Sequence, residues 1–390
     1  MTGKRRDLPV ITGFYLVYFA GMAVMALFLP VFFSENIGVT SAQLGIMMAA
    51  GPAVTIVSQP LWGLRADRAR YKNTVLLILL AGTLMASLFI PLYSNFWYAT
   101  AAFIVMASFQ TSCTPIADAI AVELCQERPW EYGKIRTAGS VGYSSMGWLA
   151  GLIIGGSNLR MFPLFAGMTL LTVGIAFLLP RVRGHQRVKI KMPYIELLKN
   201  RRLATVLAIA FVANLTLGMH YTFFGIHFRG LGGTMGMLGL AAFCASMLEL
   251  PFTLNARRLI RWLGGPEKTL LLALTVMAAR WLLASLATTP LQLLFINCLH
   301  GFSFVVTAIT MTLFIGEHVP PEMKASGQTL HGMLSAGAAR ILGSVGGGLL
   351  ISLWGIPGMF LAACVINALA LAVFVPLVYR KKREEASPCP

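Results

Sequence analysis

The sequence predicts an all-α membrane protein of about twelve transmembrane helices, arranged as two six-helix halves. Three observations predict it. The 390 residues are 57% hydrophobic and only 12% charged. The apolar residues gather into runs long enough to cross a bilayer, whose hydrocarbon core of about 30 Å takes roughly 20 helical residues. Basic clusters stand at alternate breaks between those runs, the asymmetry that fixes the orientation of a multi-spanning chain.

The first run, 8–33, follows Lys4, Arg5 and Arg6, and no small-residue cleavage site comes after it, so it reads as a span and not as a removable signal peptide. Runs 41–62 and 74–93 flank a basic segment from Arg65 to Lys72, and run 97–125 carries Asp118 and Glu123. The fifth run, 135–157, opens with Arg136 and is rich in glycine, which permits close helix approach. Run 160–180 closes the first half, and the segment 181–202 is a densely basic linker. In the second half, run 203–228 holds His220, Tyr221, Phe223, Phe224 and His227, and run 236–256 holds Glu249. Arg280 lies in 268–288, His300 in 290–316 and Arg340 in 326–355, before the last run, 357–379, and the basic end Arg380 to Arg383. The expected domains are therefore a bundle over 1–180, a linker over 181–202 and a second bundle with a basic tail over 203–390.

Of the 31 Lys and Arg, the expected outer breaks hold only Arg160 and Arg229, and Arg136, Arg280 and Arg340 fall within helices. Both termini are accordingly expected in the cytoplasm, and the net charge of +17 is an orientation signal scattered between spans, not one basic face for nucleic acid. The six cysteines show no paired metal-ligand spacing, the glycines in apolar helices are not followed by the Gly-Lys-Ser/Thr of a phosphate cradle, and no nucleophile or metal constellation stands in a span. No cofactor, metal or enzymatic activity is expected, and an ion gradient is the expected energy source.

A similar pattern follows the second run of each half: Gln59-Pro60-Leu61-Trp62-Gly63-Leu64-Arg65-Ala66-Asp67-Arg68, and Leu250-Pro251-Phe252-Thr253-Leu254-Asn255-Ala256-Arg257-Arg258. The segment Gly63 to Lys72 resembles the signature loop between the second and third helices of the major facilitator superfamily. That resemblance implies two six-helix halves around a central cavity, alternating access, and a gate in which Gly63, Asp67 and Arg68 latch the cytoplasmic side by charge-assisted bonds. Asn255 takes the acidic position in the second half, so a matching latch there is expected to be weaker.

Further pieces, Pro115-Ile116-Ala117-Asp118-Ala119, Tyr132 to Gly142, Gly218-Met219-His220-Tyr221, Glu249, Arg280-Trp281 and Leu299 to Phe304, resemble the phenylpropionate permease branch, near the lactose permease and nucleoside symporter group. The resemblance implies proton-coupled import of a small organic solute across a bacterial cytoplasmic membrane and does not fix the solute; Arg136 and Arg280 suit an aromatic or other organic acid, with a sugar or nucleoside as the alternative. Ala138 departs from it, standing where that branch usually has Trp. Drug/proton antiporters of the superfamily it resembles tend to carry a Gly-Pro kink in the fifth span, and Gly139 to Gly156 contains no proline, so the resemblance implies import over proton-driven export of drugs, siderophores or lipids.

Ionisable residues inside spans are costly and therefore point to function. The expected substrate-binding residues are Asp118, Arg136, His220, Tyr221, Phe224 and His300, with Asp118 and Arg136 as a pair that either orients solute or keeps an empty cavity neutral. Glu249 is the expected proton carrier, tuned by Arg280 and His300, with a static ion pair as the alternative. His227 is expected to be solvated near the outer surface, and the protein is expected to be a monomer whose partners are solute, protons and lipid.

Overall fold

The computed structural model describes residues 3–184, 194–320 and 323–386. Residues 185–193 of the expected linker lie outside that set. Among the described residues every regular element is helical, and the chain divides into two compact units: Met1–Lys189 with Gly233–Phe243, and Ile190–Gly232 with Cys244–Pro390.

The first unit is built from α1 (Gly3–Phe32), α2 (Ser41–Arg68), α3 (Lys72–Phe89), α4 (Phe96–Glu127), α5 (Tyr132–Ile154) and α6 (Met161–Leu178). Local chemistry sets the starts. The Thr40 hydroxyl accepts from Gln43 N while Gln43 Oε1 accepts from Thr40 N, a capping box that opens α2. Asn95 Oδ1 accepts from the amides of Trp97 and Tyr98 and opens α4. α1 packs on α5 and α6, and α3 packs on α4 and α6. The α1–α5 contact is set by glycine, since a Cβ on Gly142 would lie 2.0 Å from Leu16 O.

Pro115 interrupts α4 three residues before Asp118. Proline has no N–H, so Thr111 O loses its usual helical donor. Gln59 of α2 fills the vacancy, its Nε2 donating to Thr111 O at 2.9 Å.

The second unit contains α7 (Tyr194–Lys199), α8 (Arg201–Gly230), most of α9 (Met235–Trp262), α10 (Pro266–Leu286), α11 (Pro290–Cys298), α12 (His300–His318), α13 (Lys324–Gly332) and α14 (Arg340–Ala386). α8 packs on α14, and α10 packs on α12 and α14, so the pairing of the first unit recurs here. α14 is broken at Gly355, whose φ of 70° lies in the left-handed region that glycine tolerates.

Ten helical runs among the described residues are long and apolar enough to span a membrane. One of them, Ser326–Tyr379, has 54 residues, about 80 Å of helix at 1.5 Å per residue, which is two crossings on either side of Gly355. α5 adds another crossing of 23 residues that is merely less apolar, because glycine, serine and Arg136 dilute it. Large apolar side chains such as Trp97, Phe177 and Leu353 are exposed on the outer faces, as expected of a surface that meets lipid.

Candidate functional site

Among the described residues, each unit brings polar side chains together within its helices. In the first, the Tyr15 hydroxyl of α1 donates to Asp118 Oδ1 of α4 at 2.6 Å, and Arg136 Nε of α5 lies 4.0 Å from the same oxygen. Asp118 and Arg136 are thus brought together, with side chains 32% and 34% exposed. The Arg136 guanidinium also sits over the Phe19 ring at 4.0 Å, a cation–π contact. This supplies an aromatic partner from α1 where Ala138 offers none. Trp148, an aromatic of α5 itself, packs against Phe243. Tyr15 was not anticipated from the sequence. Its only signal is the aromatic run Phe14, Tyr15, Tyr18 and Phe19, spaced to put rings on one side of a helix.

Toward the end of α4, Glu123 Oε2 pairs with Lys72 Nζ at 2.8 Å, and Arg128 pairs with Asp7. The gating residues differ from expectation. Gly63, Asp67 and Arg68 belong to α2 itself and not to a loop, because the helix runs on to Arg68. Asp67 and Arg68 are exposed and make no side-chain hydrogen bond or ion pair among the described residues, and a Cβ on Gly63 would meet nothing. The turn after them is held instead by residues 180–184: Asn73 exchanges hydrogen bonds with Pro180 O and Val182 N, and Gly184 lies against the carbonyls of Ala66, Asp67 and Ala69. Arg70 lowers the pKa of the Tyr71 hydroxyl below the ordinary tyrosine value, with Arg181 adding to it.

In the second unit Arg280 of α10 is 1% exposed and is held by neutral acceptors. Its Nη2 donates to His220 Nε2 and to Asn297 Oδ1, both at 2.8 Å, and its Nη1 donates to His300 Nδ1 at 3.0 Å. A guanidinium has no lone pair to offer, so both imidazole nitrogens facing it are acceptors. His300 therefore carries its proton on Nε2 and donates to the Tyr221 hydroxyl at 3.1 Å. The proton of His220 is on Nδ1, which is buried without a partner among the described residues, as is Arg280 Nε. The Arg340 guanidinium lies over the Tyr221 ring at 5.0 Å.

The expected cluster of Glu249, Arg280 and His300 is corrected here. Arg280 and His300 meet, but Glu249 forms no ion pair and no side-chain hydrogen bond among the described residues. Gly301 brings α12 against the backbone of α9, where a Cβ would meet Glu249 N and Leu248 C at 2.8 Å, and the three hydrogen bonds of Arg280 run to α8, α11 and α12. The static ion pair of Glu249 with Arg280 is likewise not formed among the described residues.

His227 is also corrected. It is 4% exposed, bonded through Nε2 to Ala284 O at 3.0 Å and packed on Phe360, so α10 and α14 cover a position expected to be wet. Phe224 is 9% exposed and lies against His220 and Phe228, a packing position behind the histidine. Tyr221, at 38% exposed, is the open member of the group. Asn297 was missed from the sequence, where an amide three residues before a histidine gives no signal. Irregular backbone precedes two of these residues: Leu299 interrupts the helix before His300, and a π-helical stretch, Met333–Ala339, precedes Arg340.

The model of the MFS_1 like family matches residues 8–362. A maltose permease of Geobacillus stearothermophilus is 28% identical over 378 residues, covering 95% of this chain and 94% of that protein. A raffinose permease of Escherichia coli is 29% identical over 188 residues, covering 45% and 43%. Among solved structures, the nucleoside transporter NupG superposes with a TM-score of 0.84 over 95% of this chain and 98% of that one, at 14% identity. The chain therefore belongs to the MFS_1-like family of the major facilitator superfamily, and it is a multi-pass membrane transporter of small molecules, not an enzyme.

Proposed function

We propose that the protein imports a small polar organic solute together with a proton, as a monomer in a bacterial cytoplasmic membrane with both termini inside. The observation that carries the proton coupling is Glu249, a carboxyl within a spanning helix that forms no ion pair among the described residues. Such a group crosses low-dielectric surroundings at least cost when it carries its own proton. Asp118, Arg136 and Tyr221 are the side chains we assign to the solute, and the Arg280, His220, His300 and Asn297 group orients Tyr221.

For the solute, a neutral sugar or nucleoside is the first reading, supported by what the relatives are described as carrying. An organic acid is the second, supported by Arg280, whose hydrogen bonds all run to neutral groups. Uptake of labelled sugars, nucleosides and aromatic acids into energised vesicles, with an internal pH reporter, tests both. Accumulation of one class with inward acidification supports import by symport and names the class. No uptake, with acidification as preloaded solute leaves, favours proton-driven export instead.

A further inference from the structure

Away from both clusters, the second unit has a cavity of about 400 Å³ at the basic ends of α9, α10 and α12. That volume is within the range of small-ligand sites, roughly 300–1,000 Å³. Its polar wall is built by Arg257 and Arg261 of α9, with Glu317 of α12 also lining it. The two arginines are four residues apart and so share one face of the helix, where like charges repel unless an anion relieves them. Two guanidinium groups against one carboxylate leave one positive charge, the complement of a phosphodiester. The first residue of α10, Pro266, also lines the cavity, so the positive end of a 21-residue helix opens on it.

A second observation is independent of charge. Thr310 lines the same cavity and is 1% exposed, yet its hydroxyl has no hydrogen-bond partner among the described residues. A buried hydroxyl left unpaired is costly, so a ligand atom able to bond it would be favoured there. The remaining wall is apolar, from Ile260, Leu313 and Phe314. Next to Arg261, Trp262 is 80% exposed, as suits a side chain at the membrane–water interface.

We propose that this cavity is a binding site for a phosphate-bearing ligand, with the phosphate on Arg257, Arg261 and the Thr310 hydroxyl and its apolar part along Leu313 and Phe314. Two sources share that chemistry, an anionic phospholipid headgroup and a soluble phosphate. Native mass spectrometry of the full-length protein, after exchange with phosphatidylglycerol or phosphatidylcholine vesicles, is compared with thermal shift in inorganic phosphate. The variants are Arg257→Gln/Arg261→Gln, Thr310→Val, and Lys134→Gln as a charge control in the other unit. One retained phosphatidylglycerol, at least tenfold over phosphatidylcholine, assigns the lipid; a thermal shift with inorganic phosphate alone assigns a soluble ligand. Either signal should fall at least fivefold in the double arginine variant and in Thr310→Val and persist in Lys134→Gln. Equal retention in all four proteins, or no response to either probe, would overturn the proposal. Thr310→Val keeps the test decisive if the arginine variant does not fold, because it preserves side-chain shape.

Discussion

Tyr15→Phe removes the hydroxyl that donates to Asp118 Oδ1 at 2.6 Å, whereas Arg136→Gln removes a cation 4.0 Å from the same oxygen. Formal charge would rank the arginine first. The geometry reverses that order. A hydrogen bond to a charged acceptor contributes about 1.5–3 kcal/mol, while an ion pair open to water contributes about 0.2–1 kcal/mol. With both of its members about a third exposed, the Arg136–Asp118 pair belongs near the lower class. Double-mutant cycles pairing each change with Asp118→Asn, read by thermal unfolding of the purified protein, should give a Tyr15–Asp118 coupling larger than the Arg136–Asp118 coupling by about 1 kcal/mol. Equal couplings, or a larger one for the arginine, would refute the reasoning and return Asp118 to a simple charge pair.

Arg280→Lys replaces a fork that reaches three acceptors by a single ammonium; losing two hydrogen bonds at about 1–3 kcal/mol each should lower the melting temperature and abolish uptake, as the two assays side by side would show. Gln59→Leu leaves Thr111 O without a donor and should cost about 1–3 kcal/mol, but much less in a Pro115→Ala background, where residue 115 regains an N–H; equal costs in the two backgrounds would contradict the repair. Gly343→Ala places a Cβ 2.1 Å from Leu215 O and should cost about 1–3 kcal/mol by forcing α8 from α14, whereas Gly346→Ala, which meets nothing within 4 Å, should be tolerated. Expression and thermal unfolding of the two variants together check that contrast.

The spans and the repeat were legible because lipid demands a simple pattern, long apolar runs with basic residues at alternate breaks. The Asp118–Arg136 pair was legible because opposite charges on successive spans are costly unless they meet. The surroundings of Arg280 were legible only in part: His300 was expected beside it, whereas its contacts with His220 and Asn297 come from neutral groups that no charge pattern marks. Glu249 was placed there because it, Arg280 and His300 lie on three consecutive spans. The aromatic run of α1 hid Tyr15, since one hydroxyl among packing rings looks like core until α4 is laid beside it. His227 was misread because distance from the end of a span does not reveal whether α10 and α14 cover it. The latch segment was read as a loop because it resembles the signature loop of the superfamily, yet α2 runs on through Gly63 and Asp67 to Arg68.

Glu249→Gln tests the central claim most directly, since it removes the ionisable group and nearly preserves shape. In vesicles with solute on both sides and no proton gradient, the variant should exchange labelled solute at close to the wild-type rate, because exchange returns the carrier loaded. With an imposed proton gradient it should fail to concentrate solute and give no inward acidification. Concentrative uptake retained by Glu249→Gln would contradict the account and move the proton to another group.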